Sequence, residues 1–135
     1  VDFLERLAER VNQIPNLPVY CEPGYLRTGE SFVVYPLPGS RTATEYMDGT
    51  KERLLNYEFA MRSRVQGAIH STLWMVQNVL DELDDLESRD GSFEFEGITI
   101  TDTPFINGAD DQGWYTFILT IQAQVTVYEE EKING

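Results

Sequence analysis

His70 and Ser71 are the first pair whose types could do chemistry, because nucleophilic catalysis needs a hydroxyl or thiol, a base and a group to orient that base. The chain has one histidine and one cysteine. Adjacent residues on a helix diverge by about 100° and do not face each other, so His70 and Ser71 form no dyad by themselves. Cys21, flanked by short apolar runs, reads as a small buried hydrophobe. One histidine with one cysteine excludes a structural zinc site, and a lone cysteine forms no internal disulfide, which fits a reducing compartment.

Oxygen ligands are more plentiful. Asp81, Asp84 and Asp85 could face a hard cation, but they lack the glycine-containing loop that wraps calcium. A solvated helix face explains them as well. The stretch Gly108-Ala109-Asp110-Asp111-Gln112-Gly113 reads as a turn whose residues need no ligand. Neither a P-loop nor a dinucleotide-binding glycine pattern occurs. Trp74, Trp114 and Tyr115 could line a pocket, with core packing as the default for such aromatics. No arrangement nominates a catalytic residue, a metal ligand or a cofactor, and the expected class is not an enzyme.

The elements that would carry these residues follow from periodicity. Phe3, Leu4, Leu7, Ala8 and Val11 recur at helical spacing, predicting a helix from Asp2 to Asn12 with Asp2 as its cap and Pro15 beyond its end. Residues 17–22 and 31–37 read as short strands bounded by Pro18, Pro23-Gly24, Pro36 and Pro38. The segment 37–50 reads as a long loop or a flexible hairpin arm. From 51 to 65 the pattern alternates, with Leu55, Tyr57, Phe59, Met61 and Val65 on one face and Asn56, Glu58, Arg62 and Arg64 on the other. Ile69, Leu73, Val76, Leu80 and Leu83 then set a helical stripe over 66–87, whose acidic last turn would oppose the helix dipole. Residues 92–101 form a strand with a shift of phase at Gly97, which predicts a bulge. A polar loop is expected at 103–113, an alternating strand over 114–128 and a charged tail at 129–135. The expectation is a single α+β domain over residues 1–135. Its mixed or antiparallel sheet carries the long helix and the N-terminal helix on one face.

Charge is distributed unevenly. The net charge is −13. Residues 1–80 hold nine acids and eight bases, while residues 81–135 hold fourteen acids against Arg89 and Lys132. Such a surface repels phosphate backbones, so sequence-specific nucleic-acid binding is not expected. No segment approaches the roughly 20 apolar residues of a membrane helix, and the charged, amphipathic start is unlike a secretory signal. The start at Val1 reads as a trimmed end. What remains is surface for association. The exposed Arg41, Arg62 and Arg64 belong to the nearly neutral part, and Asp81, Asp84, Asp85, Asp110 and Asp111 to the acidic part. A head-to-tail contact between unlike patches builds a ring when its rotation closes. Charge reversal at Arg62 and Arg64 is expected to leave folding intact and to impair assembly.

Three segments carry a resemblance. Phe3-Leu4-Glu5-Arg6-Leu7, Val33-Val34-Tyr35-Pro36-Leu37-Pro38-Gly39-Ser40 and Gly113-Trp114-Tyr115-Thr116-Phe117 are similar to minor capsid proteins of siphophages and prophages of Gram-positive hosts. The order of elements resembles tail terminator proteins of long-tailed phages. That resemblance implies a ring of copies of the chain, commonly a hexamer, which caps the tail tube and faces the head connector. It also implies a place in the virion, with assembly in the bacterial cytoplasm and no catalytic residues. The implied partners are further copies, the tail-tube protein and the head–tail connector protein. An acidic lumen would let DNA pass without sticking. A head-completion or connector protein, and an acidic module that docks on basic partners as an inhibitor or nucleic-acid mimic, are the alternative readings.

Overall fold

The computed structural model describes residues 2–128, so the tail expected at 129–135 lies outside the described residues. The first helix, α1, spans Phe3–Asn12 and buries Phe3, Leu7, Ala8 and Val11. Asp2 does not cap it. Its carboxylate accepts instead from the Ser88 hydroxyl at 2.6 Å and the Arg89 N–H at 2.8 Å. The helix start is thereby tied to a segment far along the chain, which local sequence does not reveal.

Six strands follow: β1 (Cys21–Pro23), β2 (Ser31–Pro36), β3 (Arg41–Glu45), β4 (Lys51–Ser63), β5 (Phe93–Ala109) and β6 (Tyr115–Val127), with the second helix, α2, at Gln66–Asp81. The sheet order is β1-β2-β4-β6-β5, with β3 also on β4. It is a mixed sheet, because β1 runs parallel to β2 while every other pairing is antiparallel. β6 occupies one side of β4 along its whole length. β2 and β3 therefore share the other side in succession, β2 against Tyr57–Arg62 and β3 against Lys51–Leu54. The segment 37–50 is thus a hairpin arm, turning at Tyr46–Thr50, where Gly49 adopts the positive φ of +89° that glycine tolerates best.

Alternation sorts the sheet into two faces. Phe32, Val34, Tyr57, Phe59, Met61, Leu119, Ile121, Ala123 and Val125 share one buried cluster with Phe3, Leu7 and Val11 of α1 and Ile69, Leu73, Val76 and Leu80 of α2. Ser63, in the same phase, is also buried, and its hydroxyl donates to Glu30 at 2.7 Å. The opposite face holds a small cluster of Val33, Ala60 and Ile118, flanked by Leu26 and Tyr35. These three residues are cross-strand partners on β2, β4 and β6.

Several elements end or extend differently from the sequence expectation. Val65 is not on the core face, since β4 stops at Ser63 and Val65, 60% exposed, starts the turn into α2. α2 stops at Asp81, not Glu87. Ending there keeps Asp84, Asp85 and Glu87 out of the helix, where the dipole would disfavour them. Leu86 still reaches the core at 5% exposure, while Asp84 and Asp85 stay exposed. The polar loop expected at 103–113 is mostly strand, because β5 continues to Ala109. Pro104 and Gly108 look like breakers in sequence. Here they sit at register shifts on an outer strand, where a missing N–H costs no ladder bond. The bulge expected at Gly97 is present as a shift between Phe95 and Gly97. The first short strand is reduced to Cys21–Pro23.

Candidate assembly interface

Two ends of the sheet matter for the association residues. One is marked by Ser63, Tyr115 and Ala109, and the other by Lys51, Val127 and Phe93. Along β4 the distance from Lys51 to Arg62 is about 36 Å at the rise of an extended strand.

At the Ser63 end, Arg62 and Arg64 both lie against Trp114. Their guanidinium carbons are 4.7 and 4.8 Å from the ring centroid. The strand register explains the meeting, since Arg62 pairs with Thr116, just beyond Trp114. Arg62 has further partners: its Nε donates to the Thr28 carbonyl at 3.2 Å, and Nη2 meets Asp110 Oδ2 at 3.4 Å. Asp110 also organises the β5–β6 turn by accepting from the N–H groups of Gln112 at 2.9 Å and Trp114 at 3.0 Å. The Trp114 N–H, followed by that of Gln112 and the Arg62 guanidinium, holds its carboxyl below the usual carboxylate range. Gly113, at φ +87°, closes this turn. Asp111 is exposed in the same turn.

At the Lys51 end lies the acidic segment. Asp81 is the last residue of α2, and Asp84 and Asp85 follow it, all three exposed. α2 starts next to the Ser63 end and spans 16 residues, or about 24 Å. The segment after it leads to Phe93, which pairs with Val127 at the far end of the sheet. Asp85 and Glu87 border clefts shared with Arg6 and Arg10 of α1 on one side and with Phe93 and Tyr128 on the other. Arg6 Nε donates to the Glu87 carbonyl, and Arg89 pairs with Glu9, so the segment is latched to α1.

Arg41 stands apart from the other arginines. It is exposed on β3 opposite Leu54, towards the Lys51 end. Of the eight residues singled out from sequence, the fold gathers Arg62, Arg64, Asp110 and Asp111 at one end. Asp81, Asp84 and Asp85 stand at the other. The division by sequence half therefore differs from this spatial grouping at Arg41, Asp110 and Asp111. Trp114, expected from its type in the core or a pocket, is signalled as a turn residue by its position directly after Gly113 and before a long strand. The exposed hairpin tip, Tyr46 and Met47, was also missed. Its signal was two large apolar residues followed directly by Asp48-Gly49.

The sheet face opposite the helices is polar and internally satisfied. Gln122 donates to Asn56 at 3.0 Å, and Gln124 to Glu52. Thr120 donates to Asp102 at 2.9 Å, Thr126 to Glu96 at 2.9 Å, and Tyr35 to Glu58. Carboxylates already bonded across strands are poorly placed to act as catalytic acids or bases. His70 Nε2 accepts the Trp74 indole N–H at 2.6 Å, so that nitrogen is engaged with Trp74 and not with Ser71. Burial, and then the nearby Glu22 charge, push the Cys21 thiol up to about 12. Among the described residues no group of three or more His, Cys, Asp or Glu side chains could hold a metal ion, and no helix is long and apolar enough to cross a membrane.

The family model described as bacteriophage tail terminator protein matches residues 9–127. The chain belongs to that family. Its fold is similar to a chain from a solved virion of a native gene transfer agent particle, with a TM-score of 0.65 at 12% identity, covering 92% of this chain and 94% of that one. A curated relative, a probable transcriptional regulatory protein of Gemmatimonas aurantiaca, is 35% identical over 79 residues, covering 55% of this chain. The chain spans about a third of that relative's length. Family membership makes the chain a phage virion structural protein in class.

Proposed function

We propose that the chain is a tail terminator subunit whose copies form a ring, hexameric as in the proteins it resembles. The ring caps the finished tail tube and presents a surface to the head connector, after assembly in the host cytoplasm. The observation that carries this reading is the family match across residues 9–127. The geometry supports it, because the exposed Arg64 and the exposed Asp81, Asp84 and Asp85 stand at opposite ends of the sheet, where a head-to-tail contact between copies can join them. The role is structural and non-catalytic, which agrees with carboxylates and a histidine that are engaged with neighbouring side chains. Among the described residues, acids of this half stand on the segment around Asp81–Glu87, in the β5–β6 turn and on the polar sheet face bearing Glu94, Glu96 and Asp102. The sheet face is the surface we would turn towards passing DNA.

The test is to add the purified chain to tail tubes and image them by negative-stain electron microscopy. Ring-shaped density at one tube end and arrest of elongation are expected. Binding to head connectors with bare tube ends would favour a head-completion role. A monomer that ignores both and binds basic proteins tightly would favour the acidic binding module.

A further inference from the structure

We infer that the face of Trp114 bearing Arg64 is the receptor for the acidic segment Asp81–Asp85 of a second copy of this chain, giving a head-to-tail contact. This rests on the ring reading and names the surfaces that form it.

The two arginines on Trp114 are not equivalent. Arg62 uses its Nε on the Thr28 carbonyl and an Nη on Asp110, so it is part of the fold. Arg64 is exposed, makes no ion pair among the described residues, and lies on the indole face. Stacking uses the flat side of a guanidinium and leaves its edge N–H groups in the plane, where a carboxylate can be held by two parallel bonds. The indole also fixes the side chain, lowering the entropy lost when a partner arrives. Beside it, Val65 is 60% exposed and supplies apolar area.

The complement lies on the same molecule but cannot reach. Asp81, Asp84 and Asp85 are exposed and form no ion pair among the described residues, whereas Glu9 is engaged by Arg6 and Arg89 and Asp110 by Arg62. They follow α2, whose 16 residues carry the chain about 24 Å from its start beside Arg64. Arg64 needs a carboxylate and the three aspartates need a cation, so each patch is completed by the other and not by itself. Made reciprocally across a two-fold axis the pairing stops at a dimer, and made once with each neighbour it is heterologous and repeats around an axis. Exposed ion pairs add little affinity each, so this contact sets direction and register and weakens with salt.

Two measurements test it on the whole chain, alone and with tail tubes added. Sedimentation velocity at low salt compares wild type with Arg64→Glu, with Asp84→Lys/Asp85→Lys, and with all three together, circular dichroism verifying each fold. Either reversal should raise the concentration for half-assembly about tenfold, and the combined variant should recover most of the loss. Oxidative cross-linking of Val65→Cys/Asp84→Cys should give a ladder ending at one closed size, while each variant with one added cysteine stops at dimers, Cys21 being buried. Rings that form as in wild type when either reversal is made alone, and yield no ladder, overturn the contact and leave the ring reading standing. Absence of any oligomer, with or without tubes, overturns both.

Discussion

The carboxamide of Asn12 closes both main-chain hydrogen bonds of Cys21: Nδ2 donates to the Cys21 carbonyl at 2.8 Å, and Oδ1 accepts from its N–H at 2.7 Å. The last residue of α1 thus stands in for the strand that β1 lacks on its outer side. Asn12→Ala should cost about 1–3 kcal/mol, because two main-chain groups lose their partner. Asn12→Asp, which keeps the acceptor and loses the donor, should fall between. Urea unfolding of the three proteins measures the order, and equal midpoints for wild type and Asn12→Ala would remove the bond from the account.

Cys21 should be inert while the protein is folded. Its side chain is fully buried and its thiol is pushed up to about 12, so almost no thiolate exists near neutrality. A chromogenic disulfide reagent at pH 8 should react only after denaturant is added. A fast native reaction would show that the β1 edge opens.

Phe3 anchors α1 to the sheet. It is fully buried, stacks on Tyr57 at 5.4 Å and Phe95 at 6.4 Å, and meets Phe93 edge-on at 5.2 Å. Phe3→Ala should cost about 3–5 kcal/mol, and Phe3→Leu clearly less. Thermal melts resolve the difference.

Arg62 and Arg64 should separate when each is truncated. Arg62→Ala removes bonds to Thr28 and Asp110 as well as the indole contact, for about 2 kcal/mol. Arg64→Ala removes only stacking, for about 0.5–1 kcal/mol. Charge reversal at Arg62 should therefore disturb folding, unlike the same change at Arg64. Denaturant midpoints of the two single variants check this.

Acid should loosen the β5–β6 turn. Asp110 has a folded pKa below its unfolded value of about 3.9, so its stabilisation is complete above that value and is lost as pH falls through the folded one. Carbon-detected titration should place its midpoint below that of an aspartate in a free peptide. A midpoint at or above the peptide value would mean that the bonds to Trp114 and Gln112 do not persist in solution.

The sheet was legible where one face is apolar and one polar, because alternation then has a single solution. β4 and β6 show this, and so does the bulge before Gly97, where the phase visibly changes. Residues 103–109 were not legible, since Pro104 and Gly108 signal turns locally and only the pairing with β6 overrides them. The end of α2 was misread because Leu83 and Leu86 continue the apolar stripe, although they reach the core from irregular chain. At the candidate interface, Arg62 and Arg64 stood out by facing away from the core. Their meeting with Trp114 depends on cross-strand register, which one strand's residues do not encode.

The outer margins of the sheet are all interrupted. Asn12 occupies β1, a register shift at Thr42/Thr44 breaks β3, and β5 carries repeated shifts together with Pro104. Edge-to-edge pairing has no built-in stop, and copies joined that way grow into fibres. A chain that denies its neighbours a straight edge leaves recognition to side chains and turns. Contacts of that kind fix a rotation between neighbours, and where that rotation closes they yield an object with a defined number of parts.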